Sequence, residues 1–254
     1  VTVPTPLLDL FKRGEVDREV RILAAQGGLA TRAQEQLGIL VVLLEDRDQQ
    51  VRETAEATLN RIPPEALKNF LARSDVSVSL REFFANRGVV PEESPTKPPA
   101  DDPLIATGDE VEDDPNETKE SATQKIAKMG FTERLKAASK GSREMRAILI
   151  RDPNKMIAAA VLSSPKLSEP EVEAIAGMGS VSDEVLRIIG NNRQWVKNYM
   201  VVLRLCKNSK TPLAMSMNLM NRLQDGDLTR LSVDRNVPEP LRVAARKKVV
   251  SNRG

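Results

Sequence analysis

Trp195 and Tyr199 stand four residues apart, with Arg193, Lys197, Arg204 and Lys207 around them in the chain. On a helix that spacing puts both rings on one face, and flat rings among cations suit stacking on bases or gripping a peptide. The alternative use of the rings is to plug gaps between packed helices. A second basic pair, Arg242 and Arg246, projects from what reads as the last helix, opposite a stripe of Leu241, Ala244, Ala245 and Val249. These eight residues, six cations and two aromatics, form the candidate partner-binding set.

Covalent and acid–base chemistry finds little to work with. The chain has no His, which removes Ser-His and Cys-His nucleophile activation and His-ligated zinc. Cys206 is the single cysteine, so no intrachain disulfide, CxxC pair or Cys-rich metal site can form, and its Leu203 and Leu205 neighbours make it read as a core residue. Glu169/Glu173 and Asp183/Glu184 are the remaining acid–base pairs, and nothing in the sequence brings them into a cleft. Gly177-Met178-Gly179-Ser180 follows a helix and lacks the spacing of a phosphate-binding loop. The expectation is a chain with no catalytic residue, no metal and no cofactor.

Charge divides the 254 residues into three parts. Residues 1–88 carry a net −1, residues 89–122 a net −9 and residues 123–254 a net +12. The middle part opens Val89-Val90-Pro91-Glu92-Glu93 and later carries Asp101-Asp102-Pro103 and Glu112-Asp113-Asp114-Pro115. Prolines and repelling carboxylates predict a disordered linker, with Pro103-Leu104-Ile105-Ala106 as its one apolar foothold. The longest apolar run, Leu37 to Leu44 with Gly38 inside, is far short of the roughly 20 residues that span a bilayer. Val1-Thr2-Val3-Pro4 is not followed by a leader-like pattern, so a soluble protein of a reducing, bacterial cytoplasm is expected.

Helical periodicity dominates both flanks. Val51, Ala55, Leu59 and Ile62 fall on one face, behind Asp48 as the expected N-cap, and Pro63-Pro64 stops that helix and starts the next. Further helices are expected near 131–140, 142–150, 153–162, 169–177, 182–190, 192–207, 212–224 and 238–250. Asp152-Pro153 and Thr211-Pro212 read as a cap followed by a first-turn proline. Arg21, Arg52 and Arg81 recur 31 and then 29 residues apart, each beginning the same local pattern. A period near 30 with two helices per period is the mark of a helical solenoid.

The recurring acidic or polar residue, apolar-Arg pair and following apolar residues resemble the second helix of a HEAT-type repeat, or the leucine-rich-variant repeats of bacteria. That resemblance implies an inter-repeat ladder involving Asp17, Asp48, Arg21, Arg52 and Arg81. HEAT-like folds include DNA-alkylation glycosylases, but one Trp and one Tyr supply little of the aromatic equipment a base pocket needs. The fold expected is all-α: a HEAT-like helical-repeat solenoid in two segments, 1–88 and 123–254, joined by an acidic disordered linker at 89–122. The function expected is a non-enzymatic scaffold or adaptor whose basic C-terminal surface binds an acidic protein partner. Sequence-independent nucleic-acid binding by the same surface, with the linker as competitor, is the alternative.

Overall fold

The computed structural model describes residues 5–29, 32–91, 103–105 and 118–253, with the side chains of Lys119 and Arg253 left aside. Every regular element among the described residues is helical. The chain forms two compact units, one holding residues up to 149 together with 156–166, the other holding 150–155 and everything from 167 onward. The division falls inside the stretch that charge alone groups as one C-terminal part.

The first unit begins with α1 (Pro6–Lys12), α2 (Arg18–Ala25), α3 (Ala33–Leu43) and α4 (Gln49–Asn60), in which α3 packs against the other three and α2 packs on α4. α3 is enclosed on nearly all sides, with Leu37, Ile39, Leu40 and Leu43 inaccessible or nearly so. A helix this apolar has no solvent stripe to show. α4 follows expectation: Val51, Ala55 and Leu59 are buried, and the Asp48 side chain accepts from the Gln50 N–H at 2.9 Å. α5 (Pro64–Leu71) starts at the second proline, and α6 (Val78–Asn86) is capped by Ser77.

The residues that the resemblance assigns to a ladder have other partners in part. Arg18 pairs with Asp48 at 2.5 Å and Arg21 with Asp46 at 3.4 Å, so two ion pairs join α2 to the turn before α4. Arg52 instead donates to the Asp46 carbonyl at 2.6 Å, and Arg81 donates to the carbonyls of Leu71 and Arg73. Asp17 makes no side-chain cap bond. A guanidinium near a helix end meets free carbonyls before it meets a distant carboxylate, and it takes those first.

Most of the expected linker, 92–102 and 106–117, lies outside the described residues. Its last residues are helical: α7 (Lys119–Lys128) starts within it under a Thr118–Ser121 capping box, and Ala122 is fully buried. α8 (Phe131–Lys140), α9 (Arg143–Leu149) and α10 (Lys155–Ser163) complete the unit, with α9 packed on α7 and α8. Every residue of α10 from Met156 to Ser163 is buried.

Gly141 ends α8 and donates to the Ala137 carbonyl at 2.8 Å. A Cβ at this position would stand 2.4 Å from that same oxygen, a backbone atom that cannot swing aside. Gly141→Ala is expected to lower stability by about 1–3 kcal/mol, as an overpacked site does, read as a lower urea midpoint at unchanged slope.

The second unit contains α11 (Glu169–Ala176), α12 (Asp183–Asn191), a 3-10 turn η1 (Trp195–Lys197), α13 (Tyr199–Lys207), α14 (Leu213–Met220), α15 (Asp225–Val233) and α16 (Glu239–Arg253). Its core gathers Leu186, Ile189, Leu205, Cys206, Leu228, Leu231 and Leu241. Two of the helix starts read from sequence move. Asp152 accepts from the Asn154 N–H at 2.8 Å in an Asx turn, so α10 begins two residues past Pro153. Pro212 is itself the N-cap of α14, and the Thr211 hydroxyl is buried without a hydrogen-bond partner. The same Asx turn recurs at Asp46, Asn192, Asn208 and Asp234, each accepting from the N–H two residues on at 2.8–3.1 Å. It is the unit by which one helix ends and the chain turns to the next.

Candidate functional site

The single helix expected over 192–207 is broken. Asn198 adopts an extended conformation and its side chain accepts from the Met200 N–H at 2.9 Å, capping α13 and cutting η1 away from it. Trp195 therefore sits in the 3-10 turn and Tyr199 on the first residue of α13, both half-buried, and they share no α-helical face. An Asn that caps forward from its own side chain favours a break, and the four-residue spacing loses its meaning across it.

Tyr199 is committed to its own unit. Its hydroxyl donates to Asp227 Oδ2 at 2.5 Å and accepts from the Gln224 N–H at 3.2 Å, joining α13 to the start of α15. Burial, and then the bond to Asp227, hold the phenol above the ordinary tyrosine range.

The six cations separate into two groups by the helices that carry them. Arg193, Lys197, Arg204 and Lys207 belong to the η1–α13 region, where η1 packs on α12 and α13. Arg242 and Arg246 belong to α16, which packs on α14 and α15. Arg193 and Lys197 are exposed and Lys207 half-buried, and none of the three has a carboxylate within 4.0 Å among the described residues. Arg204 reaches Glu173 at 3.6 Å, and Arg246 donates to the Ser232 carbonyl at 3.2 Å. Arg242 is half-buried, with its Nε enclosed and unbonded.

Arg222, Arg235 and Lys247 are three further exposed cations without an ion pair among the described residues. Residues 192–254 hold thirteen Lys/Arg and only four Asp/Glu. Three of those four are engaged internally, Asp225 with Asn252 at 2.7 Å, Asp227 with Tyr199 and Arg230, and Asp234 with the Asn236 N–H. Arg204 and Arg230 are paired, and most of the positive charge of this stretch has no carboxylate beside it among the described residues.

Acid–base candidates fare differently. Asp183 and Glu184 both pair with Arg187, at 3.4 and 3.3 Å, and Glu173 pairs with Arg204. These three carboxylates are ion-pair partners of exposed arginines. An open cleft of about 350 Å3 beside Arg187 is lined also by Asn191, Pro212, Met215 and Asn218, and holds no carboxylate. Cys206 is inaccessible and its thiol is pushed up to about 12 by burial, so it stays protonated. Among the described residues no three potential metal ligands gather, and no helix is long and apolar enough to cross a membrane.

Three polar residues that the sequence did not single out hold key positions. In the first unit Glu35 on α3, 1% exposed, accepts through Oε1 from the Leu7 N–H at 2.9 Å, the Leu8 N–H at 3.4 Å and the Ser163 hydroxyl at 3.2 Å. It caps α1 from another helix, where Thr5 does not, and its Oε2 is buried without a partner. Burial pushes its carboxyl up to about 7, against the lowering pull of those bonds and of Arg32. Gln36, one residue on, is 2% exposed. In the second unit Asn208 donates to the carbonyls of Ala176 at 2.9 Å and Met178 at 3.0 Å. The available signal was Gln34-Glu35-Gln36 directly before an apolar run, but three consecutive helical residues point three ways and fit no stripe.

Comparison of this chain with protein-family models, curated proteins and solved structures found no match.

Proposed function

We propose that the chain is a non-enzymatic interaction module of HEAT-like helical repeats that binds an acidic segment of a protein partner through the cations of residues 192–254. The observation that carries this reading is the group of Arg193, Lys197, Lys207, Arg222, Arg235 and Lys247, all but Lys207 exposed and none with an ion-pair partner among the described residues. Solvated cations are common on any surface. Six of them in a stretch with thirteen basic and four acidic residues make a positive field that attracts an acidic ligand.

The repeat reading draws support from the reach of the polar contacts. Arg18–Asp48, Arg87–Glu56, Asn208–Ala176, Tyr199–Asp227, Lys248–Asn221 and Asn252–Asp225 are separated by 30, 31, 32, 28, 27 and 27 residues. Contact between neighbours about 30 residues apart is what stacked repeats produce. The working compartment of this reading is the cytoplasm, in keeping with one buried, unpaired thiol.

The test is a triple reversal, Arg193→Glu, Lys197→Glu and Lys207→Glu, in the full chain. Binding of a fluorescent oligoglutamate peptide is expected to weaken about tenfold or more at physiological salt, about 1.4 kcal/mol or more. A random-sequence duplex is measured beside it at two salt concentrations. Steep, salt-sensitive duplex binding without peptide binding would replace the protein partner with nucleic acid. Binding of neither probe by the unaltered chain would end the basic-surface reading.

A further inference from the structure

We propose that Gly27 and Gln36 form a peptide-binding socket in the first unit, for a short non-helical segment presenting a β-branched aliphatic residue, and that Ile105 of the chain's own acidic segment is its ligand in cis. This site is built from residues of the first unit alone and does not depend on the role of the basic residues of the second.

The socket is built from local rules. α2 ends in a Schellman arrangement: the Gly27 N–H donates to the Ala24 carbonyl at 2.9 Å and the Gly28 N–H to the Leu23 carbonyl at 3.1 Å, with Gly27 at φ +83°. Only glycine enters that conformation freely, and its bare Cα leaves a hollow. Ile105 fills it. A Cβ on Gly27 would meet the Ile105 side chain at 3.2–3.4 Å.

Gln36 supplies the polar half. Its Nε2 donates to the Gly27 carbonyl at 3.0 Å and to the Ile105 carbonyl at 3.2 Å, while its Oε1 accepts from the Ile105 N–H at 3.2 Å. One carboxamide thus pairs with both backbone groups of one residue, as a neighbouring strand would. Every bond Gln36 makes is to main chain, so the polar half reads backbone and the glycine hollow reads side-chain shape.

The occupied socket is closed. With Ile105 seated on it Gln36 is 2% exposed, and removing Ile105 would take the protein partners from one of its N–H groups and from its carbonyl oxygen. A buried carboxamide that takes two of its three hydrogen bonds from a segment 69 residues away is costly as plain core and well placed as a recognition group. The ligand's surroundings fit as well: Pro103 has no N–H to satisfy, and Asp101, Asp102, Asp109 and Glu110 keep the flanks soluble.

The experiment uses the full chain and amide exchange read by NMR. The Ile105 amide is expected to exchange about two- to tenfold more slowly than in Gln36→Leu, the weight of one such hydrogen bond. A synthetic peptide of residues 101–108 should then speed Ile105 exchange in the unaltered chain by displacing it, and a peptide with Ile105→Asp should not. Should Gln36→Leu fail to fold, Ile105→Asp in the chain provides the second arm. The Gln36 side-chain amide resonances should shift in that variant and return on adding the 101–108 peptide at millimolar concentration. Equal Ile105 exchange with and without the Gln36 carboxamide, or side-chain resonances that the peptide leaves unmoved, would overturn the proposal.

Discussion

Raising the pH from 4.5 to 7 is expected to remove about 3 kcal/mol of stability from the first unit through Glu35 alone. The carboxyl has an ordinary value of 4.5 and stands at about 7 in the folded chain. Between those values the folded state keeps the proton that the unfolded state has released. Stability therefore falls as pH rises across this window, at about 1.4 kcal/mol per pH unit, and is flat below 4.5 and above 7. This is opposite in sign to a salt-bridged carboxylate, whose contribution grows with pH. The cause is the enclosure of an ionised oxygen: Oε2 has no donor, and the three bonds to Oε1 do not offset the loss of water. Glu35→Gln keeps an acceptor for Leu7 and Ser163 and cannot ionise. Urea unfolding at pH 4.5, 5.5, 7 and 8, followed by circular dichroism, should show the variant gaining on the parent by about 3 kcal/mol over the range. A difference between the two that stays constant with pH would show that Glu35 titrates where an exposed carboxylate does.

Asn208→Ala is expected to destabilise the second unit by about 3 kcal/mol, by leaving enclosed partners unpaired. The Asn208 side chain makes three hydrogen bonds: it donates to the Ala176 and Met178 carbonyls at the end of α11 and accepts from the Lys210 N–H in its own turn. It is the stitch between turns 30 and 32 residues apart. Asn208→Asp separates its two roles, because the acceptor for Lys210 survives while a carboxylate oxygen is set against two carbonyls. It should cost as much as Ala or more at neutral pH. Trp195, the only tryptophan, lies in this unit, so its fluorescence reports the transition selectively. If Asp proves as stable as Asn, the turn matters and the stitch does not.

Sequence is a sufficient guide where a signal is contained within one or two helical turns. The pattern predicts a helix over 131–140 and α8 occupies Phe131–Lys140, and α4 has its cap at Asp48 and its buried face at Val51, Ala55 and Leu59. Sequence falters where a local signal is outweighed by a neighbouring one. Asn198 breaks a run whose apolar spacing favoured continuation, and α15, which opens Asp225-Gly226-Asp227 without a proline or a hydroxyl cap, was not foreseen. α7 was partly hidden because the acidic composition of 89–122 masked the Thr118–Ser121 capping box at its edge.

Helix content, the cap at Asp48, the lone thiol and the net +12 of residues 123–254 are properties of composition and short spacing, and the sequence shows them directly. The burial of Glu35, the engagement of Tyr199 with Asp227 and the seating of Ile105 on Gln36 join residues 28 to 128 positions apart. Such contacts depend on which helices pack together and on the low dielectric created when they do. A carboxylate, a phenol and a carboxamide carry the same letters whether they face water or a closed core, and packing alone makes the difference.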